Sequence, residues 1–251
     1  MEVHAHTHIP TGREKKWTHY FWEFLMLFLA VFCGFLAEYQ LEHKIERDRE
    51  KQFIASMIKE LEADTVQVNR VLNDTLRVKA FDTLMNLIYA GNINSIDTRK
   101  LYYLKRNYVG RMVAMDFSRN TLTQLKNGGN MRLIRNRDVV DSLNRLDNLV
   151  SATEDQLSYY RQYSYNNTEF ATQIFNEGYF RENGKYMGAA YILNGPVQPK
   201  LVTDDYRLLI EFANRLANQT GVLYNYHGLL KYYKNYSTRL ITFLKEKYHL
   251  K

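Results

Sequence analysis

The side chains able to do chemistry in this chain fall into three groups. His4, His6 and His8 alternate near the N-terminus as ligands on a strand would, and three imidazoles make a transition-metal donor set. A metal centre also needs partners that fix the ring tautomers. A short tail supplies none, so no metal site is assigned there. The other histidines, His19, His43, His227 and His249, are scattered and lack zinc-ligand spacing. The second group is Glu23, a carboxylate inside a long apolar run. The third is a basic block in which Arg99, Lys100, Lys105, Arg106, Arg111, Arg119, Lys126, Arg132, Arg135 and Arg137 stand against one acid, Asp116.

Glu23 has two readings. Near the end of a membrane span it reaches headgroups or water, where a carboxylate is far cheaper than at the bilayer centre. Alternatively, at 100° per residue, Ala30 and Gly34 fall within about 20° of it, so a carboxylate and a small-residue seam share one helix face. That face suits a second copy of the chain or another membrane protein. An ion-driven complex would also want an acid there.

The basic block reads as a solvated face or as a docking surface for an acidic protein, a lipid headgroup or a cell-wall polymer. Tyr102, Tyr103 and Tyr108 would stack nucleobases beside those charges, but the topology derived below puts the block across the membrane from nucleic acid. Tyr159, Tyr160, Tyr163 and Tyr165, and Tyr224, Tyr226, Tyr232, Tyr233 and Tyr236, recur at spacings that suit helix seams with hydroxyls at the wet edge. Phosphate-cradling loops, nucleophile elbows, metallohydrolase helices and paired thiols are missing, so neither an enzyme nor a cofactor is predicted. Cys33 is the single cysteine, which rules out an intrachain disulfide.

The elements that must carry these groups are helices. Three Pro and twelve Gly in 251 residues fall mostly outside the periodic segments, which favours an all-α fold over a many-turned β fold. From Trp17 to Tyr39 the chain reads WTHYFWEFLMLFLAVFCGFLAEY. That is about 34 Å at helical rise, against a hydrocarbon core of about 30 Å. Trp17, Tyr20, Trp22 and Tyr39 look like interfacial aromatics, and Arg13, Lys15 and Lys16 before the span predict a cytoplasmic N-terminus. A cleaved signal peptide fits less well, because bulky Phe35 precedes Ala37 at the third position and Phe32 precedes Cys33. The first 41 residues carry three basic and four acidic side chains, so within a total net charge of +7 the remainder carries +8.

Between Phe35 and Ala90 there is no Pro or Gly, and Ile58, Leu61, Thr65, Val68, Leu72 and Thr75 step as a heptad-like stripe. This predicts a tail at 1–16, a transmembrane helix at 17–39 and a helical domain at 40–251. Within that domain the pattern predicts a long helix over about 40–90 and short helices within 97–127. A long helix capped by Asn136 covers 137–177, an irregular connection 178–203 and a last long helix 204–248. Gly221 and Gly228 in that last helix mark a kink or a close helix contact. The natural arrangement is an elongated up-and-down bundle.

The opening MEVHAHTH, the span KKWTHYFWEFLMLFLAVFCGFLAE and the stretch LTQLKNGGNMRLIRNRDVVDSL resemble a set of uncharacterised bacterial single-span proteins. The resemblance implies an inner-membrane anchor with a periplasmic helical domain, and it carries no activity to transfer. The sequence therefore points to a membrane-anchored, non-enzymatic helical interaction or sensor module. It would be oligomeric through the Glu23, Ala30 and Gly34 face. The alternative is an accessory subunit of an ion-driven or other multi-subunit membrane complex that uses Glu23.

Overall fold

The computed structural model describes residues 17–91, 95–111 and 114–250. The tail, with its three histidines and Arg13, Lys15 and Lys16, lies outside them. The chain divides into two compact units, 1–51 and 52–251. Helix α1 (Trp17–Leu72) begins in the first. There Trp17, Trp22, Phe24, Leu27, Phe28 and Phe35 are all exposed, and no part of the apolar window is buried. This helix is long and apolar enough to cross a membrane. Its rings stack only along the helix, Phe24 on Phe28 and Phe28 on Phe32, and the exposed apolar residues surround the helix, unlike the one-sided stripe of a surface helix.

In the second unit α1 contributes Ile54, Met57, Ile58, Leu61, Val68 and Val71 to the core. The expected stripe is only partly inside: Thr75 is exposed, and Asp64 sits buried between Leu61 and Val68. The buried line keeps three-four spacing as Ile54, Met57, Leu61, Asp64, Val68 and Val71, so the row paired with Leu61 and Val68 is Met57, Asp64 and Val71 in place of the expected Thr65 and Leu72.

The single helix expected over 40–90 is interrupted at Asn73 and Asp74, and α2 (Thr75–Tyr89) follows. Neither Gly nor Pro is needed for this break. The amide of Thr75 bonds to the carbonyl of Asn73 at 2.8 Å, and Asp74 leaves helical geometry at φ −74°, ψ 63°. Asn and Asp readily trade helix bonds for local turns. Beyond the break, Ala80, Phe81, Leu84 and Ile88 are buried.

Asp97 caps α3 (Thr98–Tyr108) by accepting from the amide of Lys100 at 3.1 Å. After α4 (Asn120–Asn127), Gly129 at φ +63° starts a 3₁₀ turn, Asn130–Leu133. Asn136 then accepts from the amide of Val139 and opens α5 (Arg137–Phe170). The expectation of helix to residue 177 is corrected. Past Phe170 the backbone tightens into 3₁₀ turns, because Ile174 and Phe175 instead pair with the 201–202 segment: the Val202 amide bonds to the Ile174 carbonyl at 2.8 Å.

The connection expected to be irregular contains a small antiparallel hairpin, β1 (Arg181–Glu182) and β2 (Lys185–Tyr186). Asn183 and Gly184 form its turn, both at positive φ as a type I′ turn requires. A short α6 (Ala189–Asn194) follows. Asp205 caps α7 (Tyr206–Tyr248), which runs unbroken through Gly221 and Gly228. A Cβ at either glycine would meet nothing within 4 Å, so neither marks a close helix contact.

Helices α5 and α7 run antiparallel, since Ser142 meets Tyr236, Gln156 meets Val222 and Asn167 meets Gln219. The start of α7 meets the end of α2 through Tyr206 bonding to the Ile88 carbonyl at 2.6 Å and Tyr89 to Asn214 at 2.8 Å. Phe81, Leu84, Leu143, Leu157, Phe212, Leu216 and Leu230 lie in the core between them. Each such side chain contributes roughly 1.5–3 kcal/mol, against about 1 kcal/mol for a neutral hydrogen bond. The apolar core therefore holds the unit together, and the polar contacts set its register.

A basic cleft as the candidate functional site

Three cations come together where α3 ends. Lys105, Arg106, Val109, Gly110 and Arg111 line one side of a cleft of about 230 Å³. Thr168 and Thr172 from the end of α5, and Glu177, line the other. The chain can turn here because Gly110 is at φ +81°, and a Cβ on it would stand 2.5 Å from the Thr168 hydroxyl oxygen. Both threonine hydroxyls donate to helix carbonyls, Thr168 to Ser164 and Thr172 to Glu169. The cleft's donors are thus the charged groups.

Tyr102, one turn before Lys105, is fully buried and joins three segments. Its hydroxyl donates to the Lys200 carbonyl at 2.9 Å and accepts from the Asn176 amide at 2.7 Å. Burial pushes this phenol up to about 12, so it stays protonated. Asn176 in turn caps the 3₁₀ turn Glu177–Phe180. That brings the Glu177 carboxylate onto Lys105 and, at 3.4 Å, onto Arg106. Lys105 lies over the Phe175 ring and Arg106 over the Phe180 ring, 5.6 and 4.9 Å from the centroids. Burial drives the Lys105 ammonium down to about 8, with Arg106 adding repulsion, while the touching Glu177 carboxylate works the other way.

Arg77 fixes this end of α3 from behind. Buried on α2, it donates to the carbonyls of Tyr108 and Arg111 and lies 3.6 Å from Asp74. With Tyr160, Tyr226 and His227 it lines a cavity of about 10 Å³, the size of one water. Burial lowers the His227 value, with Lys231 adding to the effect, so the imidazole is neutral there near pH 7. Buried Asp64 and half-buried Glu60 organise the start of α4. Asp64 accepts from the Ser118 amide and hydroxyl and, at 2.8 Å, from Tyr233, while Glu60 one turn earlier accepts from the Thr121 amide and hydroxyl.

The chain matches no protein-family model, no curated protein and no solved structure.

The basic block seen in the sequence does not stay together. Lys105, Arg106 and Arg111 meet in the cleft. Arg119 is drawn to Glu154 at 3.2 Å and Asp147 at 3.8 Å, and Lys126 to Asp147 at 2.5 Å, so that pair is largely neutralised on α5. Arg99 bonds to the Pro196 carbonyl at 3.4 Å. Lys100, Arg132, Arg135 and Arg137 are exposed on other stretches. Glu23, Ala30 and Gly34 all lie on the exposed part of α1, where the Glu23 carboxylate takes His19 Nε2 at 3.1 Å, one turn back, and a Cβ on Gly34 would meet nothing within 4 Å. The sequence reading missed Glu177, Asp64 and Arg77, and nothing in local periodicity distinguishes them from solvated charges.

Of the tyrosine clusters, Tyr160, Tyr226 and Tyr233 are buried, whereas Tyr159, Tyr165, Tyr224 and Tyr232 are exposed. Among the described residues no group of three or more His, Cys, Asp or Glu side chains is placed to hold a metal ion.

Proposed function

We propose that this chain is a membrane-tethered, non-enzymatic interaction or sensor module. The observation that carries the reading is the contrast between its two units. One holds an apolar helix with no buried residue in its window, long enough for a bilayer. The other has its own apolar core and presents a cleft in which cations outnumber the carboxylate. The apolar helix serves as anchor, with the N-terminus in the cytoplasm. The helical unit stands in the periplasm of a bacterium, a compartment that rests on the resemblance and on Arg13, Lys15 and Lys16. It engages an acidic partner there, as a homo-oligomer or beside another membrane protein.

Two measurements test this together. A reporter fused to the C-terminus should be active only outside the cytoplasm, and crosslinking in native membranes should trap a second copy or one stable neighbour. A cytosolic reporter signal, or no crosslinked species at all, would sink the reading.

A further inference from the structure

We propose that the cleft at the end of α3 seats a phosphate-type dianion, either free phosphate or a phosphomonoester headgroup, and that Glu177 holds the place the anion takes. The proposal rests on the interaction-module reading and names the chemistry of what the cleft recognises. Three cations, Lys105, Arg106 and Arg111, face one carboxylate, which leaves two positive charges over. A dianion offsets two charges whether Glu177 stays at the rim or swings out, and a monocarboxylate only repeats what Glu177 already supplies.

The geometry separates fixed parts from a movable one. The Lys105 side chain is 5% exposed and lies over the Phe175 ring, and Arg106 lies over Phe180. Arg111 is exposed, but its backbone is held by Arg77 and by the Gly110 turn. Glu177 is 37% exposed and touches both Lys105 and Arg106 from a short turn. Lys105 and Arg106 are thus preorganised, Arg111 is the adjustable third cation, and the carboxylate marks where an oxyanion sits between a lysine point charge and a guanidinium fork. The volume of about 230 Å³ is below the usual range for whole drug-sized ligands, which suits a headgroup with its waters. Because the threonine hydroxyls already donate to helix carbonyls, charge is the main source of selectivity.

The test uses the full chain in uncharged detergent, titrated calorimetrically with inorganic phosphate at fixed ionic strength, with acetate as comparison. Phosphate should bind and acetate should not compete. Arg111→Gln should weaken phosphate binding by about tenfold or more, the worth of one charge-assisted contact, and Glu177→Gln should tighten it by a similar factor. Both positions are exposed enough for the fold to survive, which helical circular dichroism would verify. Phosphate binding no tighter than acetate, indifference to Arg111→Gln, or weaker binding in Glu177→Gln would each overturn the proposal.

In nanodiscs of phosphatidylcholine with added phosphatidic acid, a drop in apparent phosphate affinity identifies a lipid headgroup as the natural occupant. Unchanged affinity identifies a soluble phosphate. Intact phosphate binding without any crosslinked neighbour would remove the interaction reading and leave the seat standing. The converse result would remove only the seat.

Discussion

At the scale of single residues, the charges that matter are those whose surroundings were assembled from far along the chain. Asp64 illustrates the energetics. Burial raises its value above 3.8, hydrogen bonds from Ser118 and Tyr233 pull it down, and Glu60 adds repulsion, with burial dominant. Because the folded value is raised, the native state holds this proton more tightly than the unfolded chain does. The cost of the buried charge is present at neutral pH and is relieved as pH falls through the folded value toward 3.8. Asp64→Asn lacks that relief. In urea titrations between pH 7 and about pH 4, the stability of wild type relative to Asp64→Asn should therefore rise on acidification. A constant or falling difference would show that Asp64 is not buried as a charge.

The cleft follows the same logic. Lys105 and Arg106 were visible as basic residues, but Glu177, more than seventy positions later, became relevant only when Tyr102 tied Asn176 to α3. A sequence window sees a block of like charge. Folding sorts that block into three cations that line one cleft, two that are paired off on α5, Arg99 bonded to the Pro196 carbonyl, and others that are exposed on separate stretches.

At the scale of elements, caps and breaks decide where helices start and stop. Asp97, Asn136 and Asp205 cap their own helices locally, and Asx residues just before an apolar-periodic run announce this. Helix α4 has no such side-chain cap, and Arg119 stands in its cap position. The Thr121 amide in its first turn is served by Glu60 from α1, with Asp64 holding the Ser118 amide just before the helix. Glu60→Ala should cost about 1–2 kcal/mol, the worth of a capping interaction, and should speed amide exchange at the start of α4 more than in α5. Uniform exchange changes across both helices would argue for general destabilisation instead. The break at Asn73 and Asp74 was equally open to a local reading, yet helical periodicity on both sides hides a two-residue interruption. Asn183-Gly184 is a clear hairpin turn pair that the surrounding Gly and Pro residues masked.

At the scale of the whole molecule, the second unit has its own core drawn from residues 54 onward, so it should not depend on the apolar segment to fold. A fragment covering 52–251 is expected to be water-soluble, helical by circular dichroism and cooperative in thermal unfolding. Aggregation or a non-cooperative melt would show that α1 before Gln52 contributes to the fold. The all-α class, the apolar helix and most helix positions were legible in the chain alone, because they depend on local hydrophobicity, helical period and capping residues within a few positions of each other. The cleft, the burial of Asp64 and Arg77 and the sorting of the basic block were decided only by tertiary structure. A charge acquires its role from groups that are near in space and distant in sequence, and neither composition nor periodicity records that distance.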